Sequence, residues 1–253
     1  MKALKLLATS ALALISIGAS AQDHEWEVTG FFGLDSRSFW EDERYAEQDS
    51  SLNTSLRLQP ELYWRSSDGR QRVSVVAFGR IDSQDDERSH VDLREAYWGY
   101  EGDGWDIRAG ISKVFWGVAE SRHLVDIVNQ TDLVEDIDQE DKLGQPMINV
   151  NLQRDFGRFE VYVMPWFRER TFAGVDGRLR FPLPIDTDDA RYESRDRDRH
   201  TDVALRYSHY IGDLDIGVHA FDGTSREPRF TLNDDGSRFV PVYEQISQVG
   251  IDL

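Results

Sequence analysis

From position 52 to position 64 apolar and polar residues alternate along the chain. Leu52, Thr54, Leu56, Leu58, Pro60, Leu62 and Trp64 fall on one parity, and Asn53, Ser55, Arg57, Gln59, Glu61 and Tyr63 on the other. A period of two is the signature of a strand with one apolar and one polar face. An ordinary globular strand runs about five or six residues, whereas a strand tilted across a bilayer needs about 9–11. The length of this run therefore predicts a membrane-crossing strand. Pro60 lacks a ladder donor and predicts an edge position or a bulge. Shorter runs repeat the theme: Val73, Val75, Ala77, Gly79 and Ile81; Trp105, Ile107, Ala109 and Ile111; Phe159, Val161 and Val163. Further strands are expected over 147–153, 203–209, 214–221 and 243–253, for roughly ten in all. Between 91 and 100 the phase changes, because Val91 and Leu93 sit on one parity while Ala96, Trp98 and Tyr100 sit on the other. A β-bulge or a change of environment accounts for such a change.

The connections alternate in length. Ser66-Ser67-Asp68-Gly69, Glu101-Gly102-Asp103-Gly104, Arg154-Asp155-Phe156-Gly157 and Tyr210-Ile211-Gly212-Asp213 carry the Gly and Asp of tight hairpin turns. Long polar loops occupy 41–51, 82–90, 117–146, 167–201 and 222–242. Trp64, Trp98, Tyr100, Trp105, Phe156 and Tyr210 all lie close to a short turn, where an interfacial aromatic girdle would be. The fold expected is all-β: an antiparallel transmembrane up-and-down β-barrel with short periplasmic turns and long extracellular loops. A soluble β-sandwich is the alternative, but it requires neither long strands nor alternating loop lengths.

The N-terminus supplies a route to that membrane. Lys2 and Lys5 precede an apolar run that ends near Gly18, followed by Ala19, Ser20 and Ala21. This is the plan of a secretory signal peptide over residues 1–21, leaving 22–253 as the barrel, and the run falls short of the roughly 20 residues of a spanning helix. Cleavage removes two lysines, so a formal charge of −18 becomes −20. The mean hydropathy of −0.55 leans towards a soluble protein, yet alternation hides a barrel's membrane face from any average. With no cysteine, the chain has neither a disulfide framework nor thiol chemistry.

Residues 93–117 read LREAYWGYEGDGWDIRAGISKVFWG, and this stretch resembles Gram-negative porins. Arg94, Ala96, Trp98 and Gly99 match the family's first strand, Gly102 and Gly104 its turn, and Arg108 with Gly110 its second strand. The resemblance implies a channel for passive diffusion of small hydrophilic solutes, with 117–146 as a constriction loop that folds into the barrel. It also implies outer-membrane lipid, lipopolysaccharide and the barrel-assembly machinery as partners, an outer-membrane location and no cofactor; homo-oligomerisation is left open, and no nucleic-acid partner is expected. Such porins usually have about 16 strands and end on an aromatic residue, whereas this chain ends Val249-Gly250-Ile251-Asp252-Leu253. Either this is a small barrel or the chain is a fragment of a longer one; the fragment is the expectation, because a ten-strand barrel encloses little lumen and a 30-residue infolded loop would plug it.

Two sets of charges are candidates for function. In the loop, Asp126, Asp132, Glu135, Asp136 and Asp138, followed by Glu140 and Asp141, would form an acidic constriction, or else a solvated outer loop. Ser121 would cap a short helix with Leu124, Ile127 and Val128 on one face. Asp136, Asp138 and Glu140 fail the EF-hand pattern at Asp141 and Met147, which leaves only a loose divalent-ion site open. On the wall, Arg57, Arg80, Arg108 and Arg206 occupy the polar parity of their strands and would line the pore, since an arginine facing lipid near the midplane costs about 2–4 kcal/mol. Alternatively they pair with Glu61, Asp82 or Asp106. A barrel protease or phospholipase is the competing class, with His123, His200, His209 and His219 as candidate bases, but no nucleophile motif accompanies them. A structural or adhesion barrel is the third.

Overall fold

The computed structural model describes residues 6–21, 24–48, 51–116, 127–212 and 214–253, with side chains from Glu25 onward. Its strands are β1 (Leu6–Ala21), β2 (His24–Phe39), β3 (Leu52–Ser66), β4 (Gln71–Asp82), β5 (Val91–Gly102), β6 (Trp105–Ser112), β7 (Gln145–Arg154), β8 (Gly157–Met164), β9 (Arg191–Tyr192), β10 (Asp202–Ile211), β11 (Leu214–Thr224), β12 (Arg229–Leu232), β13 (Phe239–Tyr243) and β14 (Gln245–Asp252). Eleven of them form one sheet in the order β1-β2-β3-β4-β5-β6-β7-β8-β10-β11-β14, every neighbouring pair antiparallel. The protein is thus all-β, built on a large up-and-down antiparallel sheet whose two outer strands, β1 and β14, do not pair with each other. The stretch read above as a signal peptide pairs with β2 along its length, from Leu6 opposite Phe39 to Ala21 opposite His24. If cleavage follows Ala21, β2 becomes the outer strand.

The two faces of this sheet differ as the alternation requires. On one face apolar side chains stand open: Ile81 is 72% exposed, Val91 86% and Val249 78%. The other face is covered by the long loops, and there Asn53, Ser55, Ser74, Arg80, Asp82, Asn149 and Asn151 are buried. The bulge falls where the phase changes. Val76 is opposite Glu95 but Ala77 is opposite Leu93, so Arg94 is the extra residue. Arg94 and Glu95 both reach the covered face, the first to Asp132 and the second to Ser74. Pro60 sits in the middle of the sheet rather than at an edge; the β3–β4 ladder lapses at Gln59 and Pro60 and resumes in the same register at Glu61. Gly110, on β6, has φ +133°, and any side chain there would collide with the backbone of Ala96 and Tyr97 across the β5–β6 pair.

The loops are more structured than their polarity suggests. Segments 165–201 and 225–244 fold back as a second, three-stranded sheet in the order β12-β13-β9. Phe167, Tyr192 and Tyr243 pack around Ala190, and Phe172, Phe181, Phe230 and Phe239 make a chain of ring contacts alongside. A second apolar cluster lies on the covered face of the main sheet, where Met147, Tyr162, Met164, Ala204 and Phe221 pack against Trp116 and Val128 of the β6–β7 connection.

Candidate functional site

The β6–β7 connection runs over the covered face, and its described parts are residues 113–116 and 127–144. Asn129 ties its two ends together: the side-chain amide donates to the carbonyls of Ser112 and Leu143, both at 2.9 Å, and its oxygen accepts from Val114 N–H at 2.8 Å. Thr131 bridges Lys142, and Asp132 N–H donates to the Asp141 carbonyl, closing a compact lobe between them. On its return the chain passes so close to the β5 bulge that a side chain at Gly144 would strike the Arg94 backbone.

That lobe presents its carboxylates to arginines of the sheet. The Arg80 guanidinium, almost fully buried, donates from Nε and Nη2 to Glu135, the latter at 2.6 Å, and from Nη1 to Asp35 at 2.8 Å and Ser55 at 2.6 Å. Arg94 holds Asp132 at 2.5 Å and Asp92 at 3.2 Å. Arg37 reaches Asp136 at 3.1 Å and the Glu135 carbonyl at 3.0 Å. Arg88 pairs with Asp82 at 2.6 Å and also donates to the carbonyls of Val134 and Glu135. Arg168, from the loop after β8, completes the group on Asp92 at 2.7 Å. Charges this enclosed persist only where each meets an opposite charge and further hydrogen bonds. Asp132 illustrates the balance: burial opposes its ionisation, but His90, Arg94 and Thr171 outweigh that and hold its carboxyl well below the usual range, at about 2.

The structure treats the residues expected from sequence differently. Asp132, Glu135 and Asp136 meet arginines of the sheet directly, Arg80 among them, and Asp132 is completely buried rather than solvated. Arg57 and Arg206 also lie on the covered face but pair elsewhere, with Asp35 at 3.5 Å and Asp252 at 2.9 Å. Arg108 stacks over Tyr97 at 4.6 Å. None of the four takes Glu61, Asp82 or Asp106 as its ion-pair partner; Asp82 is engaged by Arg88 and Asp106 by Asn151. Asp138 does not join the network and caps the Glu140 N–H instead. Asp126, His123, Ser121 and Leu124 lie outside the described residues. Of the other candidate bases, His200 meets Asp202 at 2.9 Å, which also binds Arg226 at 2.6 Å, while His219 packs 5.6 Å from the Trp116 ring and His209 6.4 Å from Tyr207.

Sequence reasoning passed over Asp35, Arg37, Arg88, His90 and Thr171. Asp35 and Arg37 occupy one parity of β2, with Trp26, Val28, Phe32 and Leu34 exposed on the other. That alternation was available, but Phe31 and Phe39 on the polar parity blur it. Thr171 comes from a loop 39 residues away and donates to Asp132 at 2.5 Å, a contact that no local pattern announces.

His90, Asp132 and Glu135 bring three donor atoms within 4.8 Å of one another. A divalent ion there would compete with Arg94 for Asp132 and with Arg80 for Glu135, so the charge it would offer is already supplied. Asp136, Asp138 and Glu140 do not converge on a common point among the described residues. Two cavities lie along the connection, the first lined by apolar as well as charged side chains and the second mainly polar. One of about 330 Å³ on the long-loop side is lined by Arg37, Asn53, Arg88, Asp136, Arg178 and Arg180. Another of about 310 Å³ towards the short turns is lined by Arg108, Lys113, Asn149, Asn151, Arg158 and Arg206. No protein-family model, curated protein or solved structure matches the chain.

Proposed function

We propose that the chain is exported by a cleaved signal peptide to the outer membrane, where its sheet curls into a porin-like transmembrane barrel for passive diffusion of small hydrophilic solutes. The observation that carries this reading is the separation of the two faces. Isoleucines, leucines and valines stand open along β3, β4, β5, β7, β8, β10, β11 and β14, while the arginines and carboxylates turn to the covered side. Burying one such apolar side chain is worth about 1.5–3 kcal/mol, so a continuous band left in water would be a severe liability, whereas a bilayer covers it. The resemblance of 93–117 to porins and the placement of the β6–β7 lobe against wall arginines support the same reading. Closure of the barrel requires that β14 and the opposite outer strand both find partners.

Cell fractionation tests the location: the mature protein should sediment with outer membranes and migrate faster on gels when unheated. Recovery in the soluble periplasmic fraction would overturn the reading. Planar bilayers test the activity. Discrete conductance steps are expected, and Arg108→Glu with Lys113→Glu should shift reversal potentials towards cations, an effect that fades as the Debye length falls to about 3 Å at 1 M salt. A structural barrel is the second reading, favoured by the apolar cluster around Met164 that fills part of the covered face. A folded, inserted, non-conducting protein would select it.

A further inference from the structure

His90 stands where the turn after β4 enters β5. Its Nδ1 lies 3.1 Å from the Arg88 carbonyl, an acceptor, so this nitrogen carries a hydrogen and donates it. The ring packs 5.5 Å from Phe78. Nε2 is enclosed, makes no hydrogen bond, and lies 3.7 Å from Asp132 Oδ2 and 3.8 Å from Glu135 Oε1. A neutral ring in this orientation would aim a lone pair at two carboxylate oxygens that are held from their other sides by Arg94 and Arg80, with no hydrogen on the ring side between the three acceptors. A positive charge at Nε2 removes the conflict, and a proton fits where the flanking arginines leave no call for a metal ion.

We propose that His90 is a positioning residue: as an imidazolium it bridges Asp132 and Glu135 and holds the β6–β7 lobe on the sheet, and its deprotonation loosens that hold. The facing groups are balanced finely enough for one proton to count. Asp132, Glu135 and Asp92 are negative; Arg80, Arg94 and Arg168 are positive, and each is already committed to a carboxylate. Nearby, burial first and then the charge of Glu135 push the Asp141 carboxyl up, against the pull of Arg94. Burial disfavours a charged His90, but Asp132, Glu135 and the Arg88 carbonyl together raise its pKa above the ordinary 6.5. The sign follows: the contribution is complete below pH 6.5 and is lost as pH rises through the higher folded-state value.

The absence of native cysteine allows a direct test in the full chain folded in detergent micelles or lipid. Val134→Cys places a thiol on the buried side of the lobe, and Ile137→Cys places one on its exposed side. The ratio of their labelling rates, which cancels the thiol's own titration, should rise several-fold between about pH 5.5 and 8.5. With His90→Gln the ratio should already be high at acid pH and stay flat. Histidine NMR on the unmodified protein, with the His90 signal identified by its loss in that variant, should show a midpoint above about 6.5. A ratio independent of pH, the same pH dependence in His90→Gln, or a His90 midpoint at or below the free value would each overturn the proposal. The measurement reads docking rather than conduction, so its outcome does not depend on the channel reading.

Discussion

The β6–β7 connection meets the sheet in two places by different physics. Beside β2 to β5 it docks through charge, with Asp132, Glu135 and Asp136 against Arg94, Arg80 and Arg37. Over β7 to β11 it docks through apolar packing, with Trp116 and Val128 against Met147, Tyr162, Met164 and Phe221. Apolar burial stabilises without dictating direction. Buried ion pairs add little net stability as a set, because desolvation offsets attraction, yet removing one partner is costly. The apolar side therefore keeps the connection on the sheet, and the charged side fixes where it lies.

The largest effect should come from breaking the charged side at its centre. Arg80→Ala would leave Glu135 and Asp35 enclosed with their main counter-charge gone, at a cost of about 3–5 kcal/mol. Urea unfolding should show the loss at neutral pH and a smaller loss in acid, where the stranded carboxyls can take up protons. Met164→Ala is the matching change on the apolar side. Met164 is fully buried, and its truncation should cost about 3 kcal/mol, equally at both pH values. If the two variants share one pH dependence, the distinction between the two sides fails.

How much of this contrast can be read from sequence depends on how local its causes are. The β3 alternation, the shared polar parity of Arg57, Arg80, Arg108 and Arg206 on their strands and the phase change on β5 are local, and in the structure the first two separate an open apolar face from a covered polar one while the third coincides with a bulge. The partners of those arginines are only partly local. Arg57 takes Asp35 from the neighbouring strand, but Arg80 meets Glu135 across 55 residues and Asp35 across 45, so Asp82 on its own strand is not its partner. The three-stranded sheet over the loops was illegible for another reason. Its phenylalanines are spread among Arg and Asp without a sustained period, and they cluster only once 165–201 and 225–244 are brought together.

A smaller effect, opposite in direction to that of His90, should appear in acid. The folded-state pKa of Asp132 is about 2 against an ordinary 3.8, so its contribution is complete above pH 3.8 and is lost as pH falls towards 2. Linkage makes this about 2 kcal/mol. Asp132→Asn should accordingly flatten the acid limb of the stability curve between pH 4 and 2, measured by urea midpoints, with little change in the slope that Met164→Ala retains. An acid limb that survives in Asp132→Asn would assign it to other carboxylates of the network.

The smallest effect should come one residue beyond Glu135. Asp136 pairs with Arg37 at 3.1 Å, a separation no worse than those inside the network, but its side chain is 42% exposed where that of Glu135 is 4%. Water stabilises an unpaired Asp136 almost as well as Arg37 does, and Arg37 keeps its bond to the Glu135 carbonyl when the carboxylate is gone. Asp136→Asn should therefore cost about 0.2–1 kcal/mol, and 1 M salt should erase most of that difference. Glu135→Gln, in contrast, removes one of the two carboxylates that hold the buried Arg80 and leaves it Asp35 alone, and its cost should survive the same salt. If Asp136→Asn proved as damaging as Glu135→Gln, exposure would not be what grades the pairs along this connection, and the charged side would have to act as one indivisible unit from its buried centre to its rim.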